Sequence, residues 1–264
     1  MTQPPLAPLV FITGASSGIG RALAERYRLA GFRLALVARR EGELRAWATS
    51  MGLDEQACGI YPADVSDTAS IVAAGHACQA RQGLPDVVIA NAGISVGMDT
   101  AERDDLQVMA STFATNNVGM TATFHPFIQG MRQRGSGTLV GIASVAAIRG
   151  LPGHGAYCAS KAAVVSYCES LRGEMRGTGV KVVTLLPGYV ATPLTERNRY
   201  PMPFLMSSEA FASKAFAAIA AGVSYRVIPW PMGLVAKLMR ALPNSWFDRL
   251  FAGQPRKHRQ GEAD

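Results

Sequence analysis

A tyrosine and a lysine stand four residues apart, at Tyr157 and Lys161, in a stretch whose apolar spacing predicts a helix. At that interval both side chains leave one helical face. An ammonium group beside a phenol favours the phenolate and lowers the phenol's pKa from about 10. A phenol tuned in this way can hand a proton to a developing alkoxide, or take one from an alcohol. Ser144 stands just past the apolar run Thr138–Ala143, where its hydroxyl could bond an oxygen on which charge develops. Taken singly, the Tyr–Lys pair is equally a solvated helix face, and Ser144 equally the cap of a turn.

A second chemistry-bearing stretch lies near the start of the chain. The apolar run Leu9–Ile12 enters Thr13-Gly14-Ala15-Ser16-Ser17-Gly18-Ile19-Gly20, and a helix follows at once. Glycines at G-x-x-x-G-x-G spacing let the backbone turn tightly and approach a pyrophosphate, while the free N–H groups of the helix start attract anions. The same residues fit G-x-S-x-G, the elbow of a serine hydrolase. That reading needs a histidine partner. The chain has His76, His125, His154 and His258. His154 alone lies in a well-placed loop, with no evident acid beside it. The elbow would also follow the first strand, whereas it normally follows several.

Cofactor choice is written at the end of the second strand. Leu34–Val37 runs into Ala38-Arg39-Arg40 with no acid at the tip. An acid there would accept from a ribose 2′-OH, whereas arginine offers a planar fork to a 2′-phosphate. Arg39 therefore favours NADP(H). Glu41 and Glu43 lie close enough to keep NAD(H) open.

These groups need a frame. Strand-like runs (9–12, 32–38, 57–61, 86–90, 138–143, 180–186 and 225–229) alternate with helical patterns (21–30, 41–51, 67–81, 104–134 and 156–176). Such alternation predicts one α/β domain over residues 1–264, a doubly wound parallel sheet with helices on both faces. Ligands then bind at the carboxyl ends of the strands, where the glycine turn and Ser144 both fall. The long helix 104–134 is expected to break near Pro126. Residues 192–222 are expected to be helices laid over the substrate. Residues 231–252 read as an apolar and basic helical segment, and 253–264 as a flexible tail.

The chain resembles the short-chain dehydrogenase/reductase family in its compact Tyr-x-x-x-Lys form, and the likeness runs from Thr13 to Thr192. Thr13-Gly14-x-x-x-Gly18-x-Gly20 is similar to that family's cofactor loop, and Ser144, Tyr157 and Lys161 fall at its catalytic spacing. The resemblance further implies roles for Asp64 and Val65 at the adenine and for Asn91-Ala92-Gly93 after the fourth strand. Asn116 would be the structural and relay asparagine, with Asn117 its alternative. Pro187, Gly188, Val190 and Thr192 would hold the nicotinamide carboxamide. Ala90 departs mildly from the family, which often has asparagine there. The implied activity is that of a Rossmann-like NADP(H)-dependent oxidoreductase interconverting a carbonyl and an alcohol, with Tyr157 as acid or base. A non-catalytic NADP-binding regulator is the alternative. The family often forms homodimers or homotetramers, associating through long helices such as 104–134 and 156–176.

Composition agrees with this frame. In 264 residues, 48% are hydrophobic and 17% charged, with a formal net charge of +7. A basic balance suits anionic ligands such as nucleotides. No nucleic-acid motif is present, and no run of about 18 apolar residues suggests a membrane span. The start lacks the basic stretch of a signal peptide, so a cytoplasmic location is expected. Cys58, Cys78, Cys158 and Cys168 are scattered without metal spacing and are expected to be reduced thiols. Ile94, Val96, Met98, Leu151, His154, Leu194, Met202, Phe204, Leu205 and Met206 are candidates to wall an apolar carbonyl or alcohol substrate. The segment 231–252 fits a helix packed on the domain or on a second subunit, with weak peripheral membrane contact as the alternative.

Overall fold

The computed structural model describes residues 6–196, 198, 201–253, 256, 257 and 259. Seven strands form one parallel sheet: β1 (Leu9–Thr13), β2 (Arg33–Ala38), β3 (Cys58–Pro62), β4 (Val87–Ala90), β5 (Gly137–Ile142), β6 (Val180–Pro187) and β7 (Tyr225–Ile228). Their order is β3-β2-β1-β4-β5-β6-β7. The chain reverses direction across the sheet between β1 and β4, whose register is Val10–Val87 to Ile12–Ile89. A crevice must open there at the strands' carboxyl ends.

Alternation along each strand explains why the sheet is buried on both faces. Val10 and Ile12 point into one core with Leu23, Tyr27, Leu44 and Phe211. Leu9 and Phe11 point into the other with Ile71, Phe124, Phe127 and Leu171. The first core is roofed by α1 (Gly18–Leu29), α2 (Glu41–Ser50) and α7 (Ser208–Ala220). The second is roofed by α3 (Thr68–Gln82), α5 (Gly119–Arg134) and α6 (Gly155–Glu174). All four cysteines are buried free thiols.

Three expectations need correction. The helix predicted over 104–134 does not break at Pro126. It divides into α4 (Asp105–Phe113) and α5, joined by a π-turn at Ala114–Val118. The wider turn is held by side chains: Asn116 reaches back to Ile94, and Asn117 Nδ2 donates to the Ser160 carbonyl at 2.8 Å. Pro126 instead packs inside α5 against Gly75, where a Cβ would meet its ring at 2.7 Å.

Residues 192–222 do not form a set of helices over the cleft. Turns occupy the described residues up to Ser207, and the single helix α7 buries Phe211, Ala212 and Ala215 against the domain. Aromatic contact explains its seat: the Phe216 ring meets Tyr27 of α1 edge-on at 4.9 Å.

The end of the chain is not wholly a flexible tail. Arg259 Nε donates to Asp105 Oδ2 at 2.6 Å, Arg256 pairs with Asp99 at 3.7 Å, and Lys257 Nζ donates to the Leu194 carbonyl at 3.1 Å. Asp105 is 3% exposed, so its charge needs that partner. Residues 254, 255, 258 and 260–264, His258 among them, lie outside the described residues. The segment 231–252 becomes α8 (Trp230–Ala241) and α9 (Asn244–Phe251).

Candidate active site

A cleft of about 770 Å³ runs along the carboxyl ends of the strands, between the glycine turn at one end and Ser144, Tyr157 and Lys161 at the other. The turn after β1 needs its glycines. Gly14 and Gly18 have φ of +67° and +53°, a region costly for any residue with a Cβ. A Cβ on Gly20 would collide with the Gly14 carbonyl oxygen. Gly20 therefore permits the turn without lining the cleft.

Thr13 likewise stands behind the cleft. Its hydroxyl accepts from Asn91 N at 3.1 Å and Ala92 N at 3.2 Å. Asn91 Nδ2 returns a bond to the Thr13 carbonyl at 3.0 Å. These bonds tie the ends of β1 and β4 together and fix the floor from which Asn91, Ala92 and Gly93 face the cleft.

At the β2 end, both arginines line the cleft, and they do different things. Arg39 Nη1 lies 3.6 Å from Asp64 Oδ2. Arg40 Nη2 donates to the Ser16 and Ser17 hydroxyls at 3.1 and 3.2 Å, and its Nη1 pairs with Glu43 at 2.8 Å. Arg40 thus clamps the glycine turn, a role that sequence spacing alone did not reveal. Glu41 is taken up by Arg45. Asp64 is no helix cap: its Oδ1 accepts from Ser66 N and Oγ, whereas Asp67 caps α3. Val65 lines the cleft beside it.

At the other end, β5 delivers Ser144 and α6 delivers Tyr157 and Lys161 to one place. Ser144 is a turn cap as well as a cleft residue. Its Oγ accepts from Ala146 N at 3.2 Å, and it lines the cleft together with Tyr157. Lys161 is 4% exposed; its Nζ donates to the Ile142 carbonyl at 2.9 Å and stands 5.7 Å from the centre of the Tyr157 ring. Burial pulls the lysine's pKa down to about 8. The expected lowering of the tyrosine pKa is absent in this structure. Burial pushes it up to about 12, and the neighbouring Ser144 hydroxyl only partly offsets this. Desolvating a phenolate costs more here than the neighbouring hydroxyl returns.

Asn116 does not line the cleft. It is 2% exposed and held on three sides: Oδ1 accepts from Ile94 N at 2.8 Å, and Nδ2 donates to the Ile94 carbonyl at 3.0 Å and to Ser160 Oγ at 2.9 Å. Ser160 Oγ in turn donates to the Tyr157 carbonyl at 2.8 Å. A Cβ on Gly93 would lie 3.2 Å from Asn116 Oδ1 and 3.4 Å from Lys161 Nζ, so the glycine keeps this corner open.

The roof over the cleft comes from the loop after β6. Pro187, Gly188, Val190 and Thr192 all line it. Thr195 Oγ1 braces the loop by donating to the Val190 carbonyl at 2.7 Å and accepting from Thr192 N at 3.1 Å. Of the ten residues expected to wall a substrate, Ile94 and Leu194 line the cleft. Val96 and Met98 pack elsewhere, with Val108 and Ala156. Met206 packs against the core. His154 is buried, its Nδ1 3.2 Å from the Pro152 carbonyl. The start of α6 accounts for the shift: Ala156 N donates to Met98 Sδ at 3.2 Å and draws that loop away. Gln107, Ser111 and Thr115 of α4 and the π-turn supply a wall that no sequence pattern marked.

Among the described residues no histidine lines the cleft, and Ser16 Oγ is held by Arg40. The hydrolase elbow therefore has no base among the described residues. The groups that are present suit a dinucleotide. A glycine turn at the start of α1 can receive a pyrophosphate, arginines stand at one end, and a buried ammonium uses one of its three donors on Ile142.

A profile described as short chain dehydrogenase matches residues 8–202. The chain belongs to the short-chain dehydrogenase family. This short-chain dehydrogenase is 36% identical over 241 residues to an uncharacterized oxidoreductase of Myxococcus xanthus, covering 90% of this chain and 93% of the relative. It is 38% identical over 186 residues to the D-threitol dehydrogenase of Mycolicibacterium smegmatis, covering 70% and 71%. Among solved structures it resembles a short-chain dehydrogenase from Sphingobium yanoikuyae in complex with NADPH (TM-score 0.75, 26% identity, 90% and 97% covered). It also resembles a short-chain dehydrogenase/reductase from Burkholderia phymatum in complex with NAD (TM-score 0.79, 25% identity, 95% and 97% covered). This dehydrogenase is an oxidoreductase with a nucleotide-binding fold of the Rossmann type, and no helix among its described residues is long and apolar enough to cross a membrane.

Proposed function

We propose that the chain reduces a carbonyl compound with NADPH, or oxidises the matching secondary alcohol with NADP+. The observation that carries this reading is the meeting of Ser144, Tyr157 and Lys161 at one end of a cleft whose other end holds Arg39 and Arg40. A 2′-phosphate finds the Arg39 guanidinium there, while Arg40 holds the adjoining turn. The acids that would bind a 2′-OH are engaged, Glu41 with Arg45 and Glu43 with Arg40. The turn Gly14–Gly20 would hold the pyrophosphate, Asp64 and Val65 the adenine, and Thr192 the nicotinamide, all around one cleft.

Bound NADPH supplies the hydride. Ser144 donates to the carbonyl oxygen and orients it. Tyr157 passes its proton to that oxygen as the alcohol forms. Lys161 binds the nicotinamide ribose with its remaining donors and holds positive charge near the phenol. Asn116 fixes Ile94 beside Gly93 and, through Ser160, the backbone at Tyr157, and so positions the residues next to Lys161. Two copies of the chain associate through α5 and α6, where Met120 and Tyr167, with Val118 of the π-turn, line an apolar groove.

The test is Tyr157→Phe, assayed by NADPH oxidation over a panel of aldehydes and ketones. Turnover should fall by about 10²- to 10⁴-fold, while NADPH still quenches protein fluorescence at the wild-type concentration. A variant that keeps near-normal turnover removes Tyr157 from the chemistry. Size-exclusion chromatography of the wild-type protein reports the pairing.

A further inference from the structure

Helices α8 and α9 carry an apolar face that no described residue covers. Trp230, Leu234 and Leu238 follow one another at four-residue steps and are 68%, 60% and 68% exposed. On α9, Trp246 and Leu250 repeat the step and are 65% and 57% exposed. The opposite side is buried: Met232 lies against Gly188, Gly233 against Val227, and Phe247 under Arg149. Five large apolar side chains on two consecutive helices exceed the scattered exposure of an ordinary surface.

The pair is held firmly. The Arg149 guanidinium donates to the carbonyls of Met239 and Leu242 and to Asn244 Oδ1, and stands 3.8 Å over the Phe247 ring. It thereby satisfies the free carbonyls at the end of α8 and fixes α9 beside it. The exposed stripe is a set surface rather than a frayed end.

Charge says what that surface meets. Lys237, Arg240 and Arg249 are exposed around the stripe, and none forms an ion pair among the described residues. Asp248 is the sole acid in the sequence of these helices. A second copy seated here about a two-fold axis would set the patch against itself, bringing three cations against three with a single acid on each side. An anionic lipid surface takes the same features without conflict. Leucines enter the acyl boundary, tryptophans sit at the headgroup level, and lysine and arginine meet phosphate.

We propose that α8 and α9 dock this protein in the plane of an anionic lipid bilayer. The side of α8 opposite the docked face packs on a cleft residue, Met232 on Gly188.

The test uses the whole chain with vesicles of phosphatidylcholine alone, or containing roughly one-third phosphatidylglycerol. Two of its three tryptophans lie on the face, and the third, Trp47, is 8% exposed in the core. Emission therefore reports docking directly. Anionic vesicles should carry the protein into the pellet and shift its emission to the blue, and added salt should reverse both. Leu234→Glu with Leu238→Glu should abolish pelleting. Lys237→Glu with Arg249→Glu, which alters only exposed charges, should remove the preference for anionic lipid. Wild-type protein that stays in the supernatant with both vesicles overturns the proposal. So does pelleting indifferent to lipid charge and to the Lys237/Arg249 variant. A wild-type oligomer that ignores vesicles and falls to a smaller species with Leu234→Glu/Leu238→Glu would assign the face to a second copy instead.

Discussion

Replacing Lys161 with methionine should stabilise the nucleotide-free protein at neutral pH while abolishing turnover. The lysine is 4% exposed, and desolvation moves its pKa from 10.5 to about 8. Each unit is worth about 1.4 kcal/mol, so keeping the charged form in the fold costs about 3 kcal/mol. Methionine has a similar length and needs no solvation. It loses the bond to the Ile142 carbonyl, worth about 1 kcal/mol. The net gain is about 2 kcal/mol, which for a chain of this size raises the melting midpoint by roughly 4–8 °C. The pH dependence fixes the sign. Below the folded pKa of about 8 the lysine is charged in both states, and the wild type bears the whole penalty. Above it, the folded lysine sheds its proton while the unfolded one keeps it, and the penalty fades until pH passes the unfolded value. The variant's advantage should therefore be full at pH 7 and nearly closed at about pH 10. Differential scanning calorimetry of both proteins, stripped of nucleotide, measures it. A variant that melts at or below the wild type at pH 7, or one whose advantage persists undiminished at high pH, refutes the account of this lysine as a strained, functionally retained charge.

Three further outcomes follow from the geometry. Arg39→Asp should weaken NADPH binding by roughly 10- to 100-fold through loss of a charge-assisted contact and leave NADH nearly unaffected; titration with both nucleotides checks this, and equal losses would remove Arg39 from the 2′-phosphate. Asp105→Asn should lower the melting midpoint at pH 7, because hydrogen bonds from Arg259 and the Asp99 amide hold this carboxyl below its ordinary range. That stability exists above the unfolded carboxylate pKa and is lost as pH falls through the folded one, so variant and wild type should converge below about pH 4. Gly119→Ala should cost about 1–3 kcal/mol in urea denaturation, since its Cβ would collide with the Val65 carbonyl.

The sheet and the reacting groups were legible because both depend on local pattern. The alternation of Leu9, Val10, Phe11 and Ile12 between two cores follows from strand geometry alone. The four-residue step from Tyr157 to Lys161 places both on one face of α6. What stayed hidden depends on partners distant in the chain. Arg40 and Arg39 are adjacent residues of one type, and only the turn at Ser16 and Ser17 separates their roles. Arg256, Lys257 and Arg259 read as a solvated basic run until Asp99, Leu194 and Asp105 come within reach. The substrate wall was misjudged because apolar residues such as Met98 and Met206 suit a core as well as a cleft. The helix break was misplaced because proline is the usual marker, whereas two asparagine side chains made the break here.

That break makes the spacing between α4 and α5 unforgiving. A π-turn holds one residue more than a regular helical turn. Deleting one residue from Ala114–Val118 would close the wide turn into a regular helical one and remove the bulge that carries Asn116 and Asn117. Asn116 would then swing away from Ile94. Exposed positions such as Met109 and Thr121 can change identity freely, but the number of residues between Asp105 and Arg134 cannot.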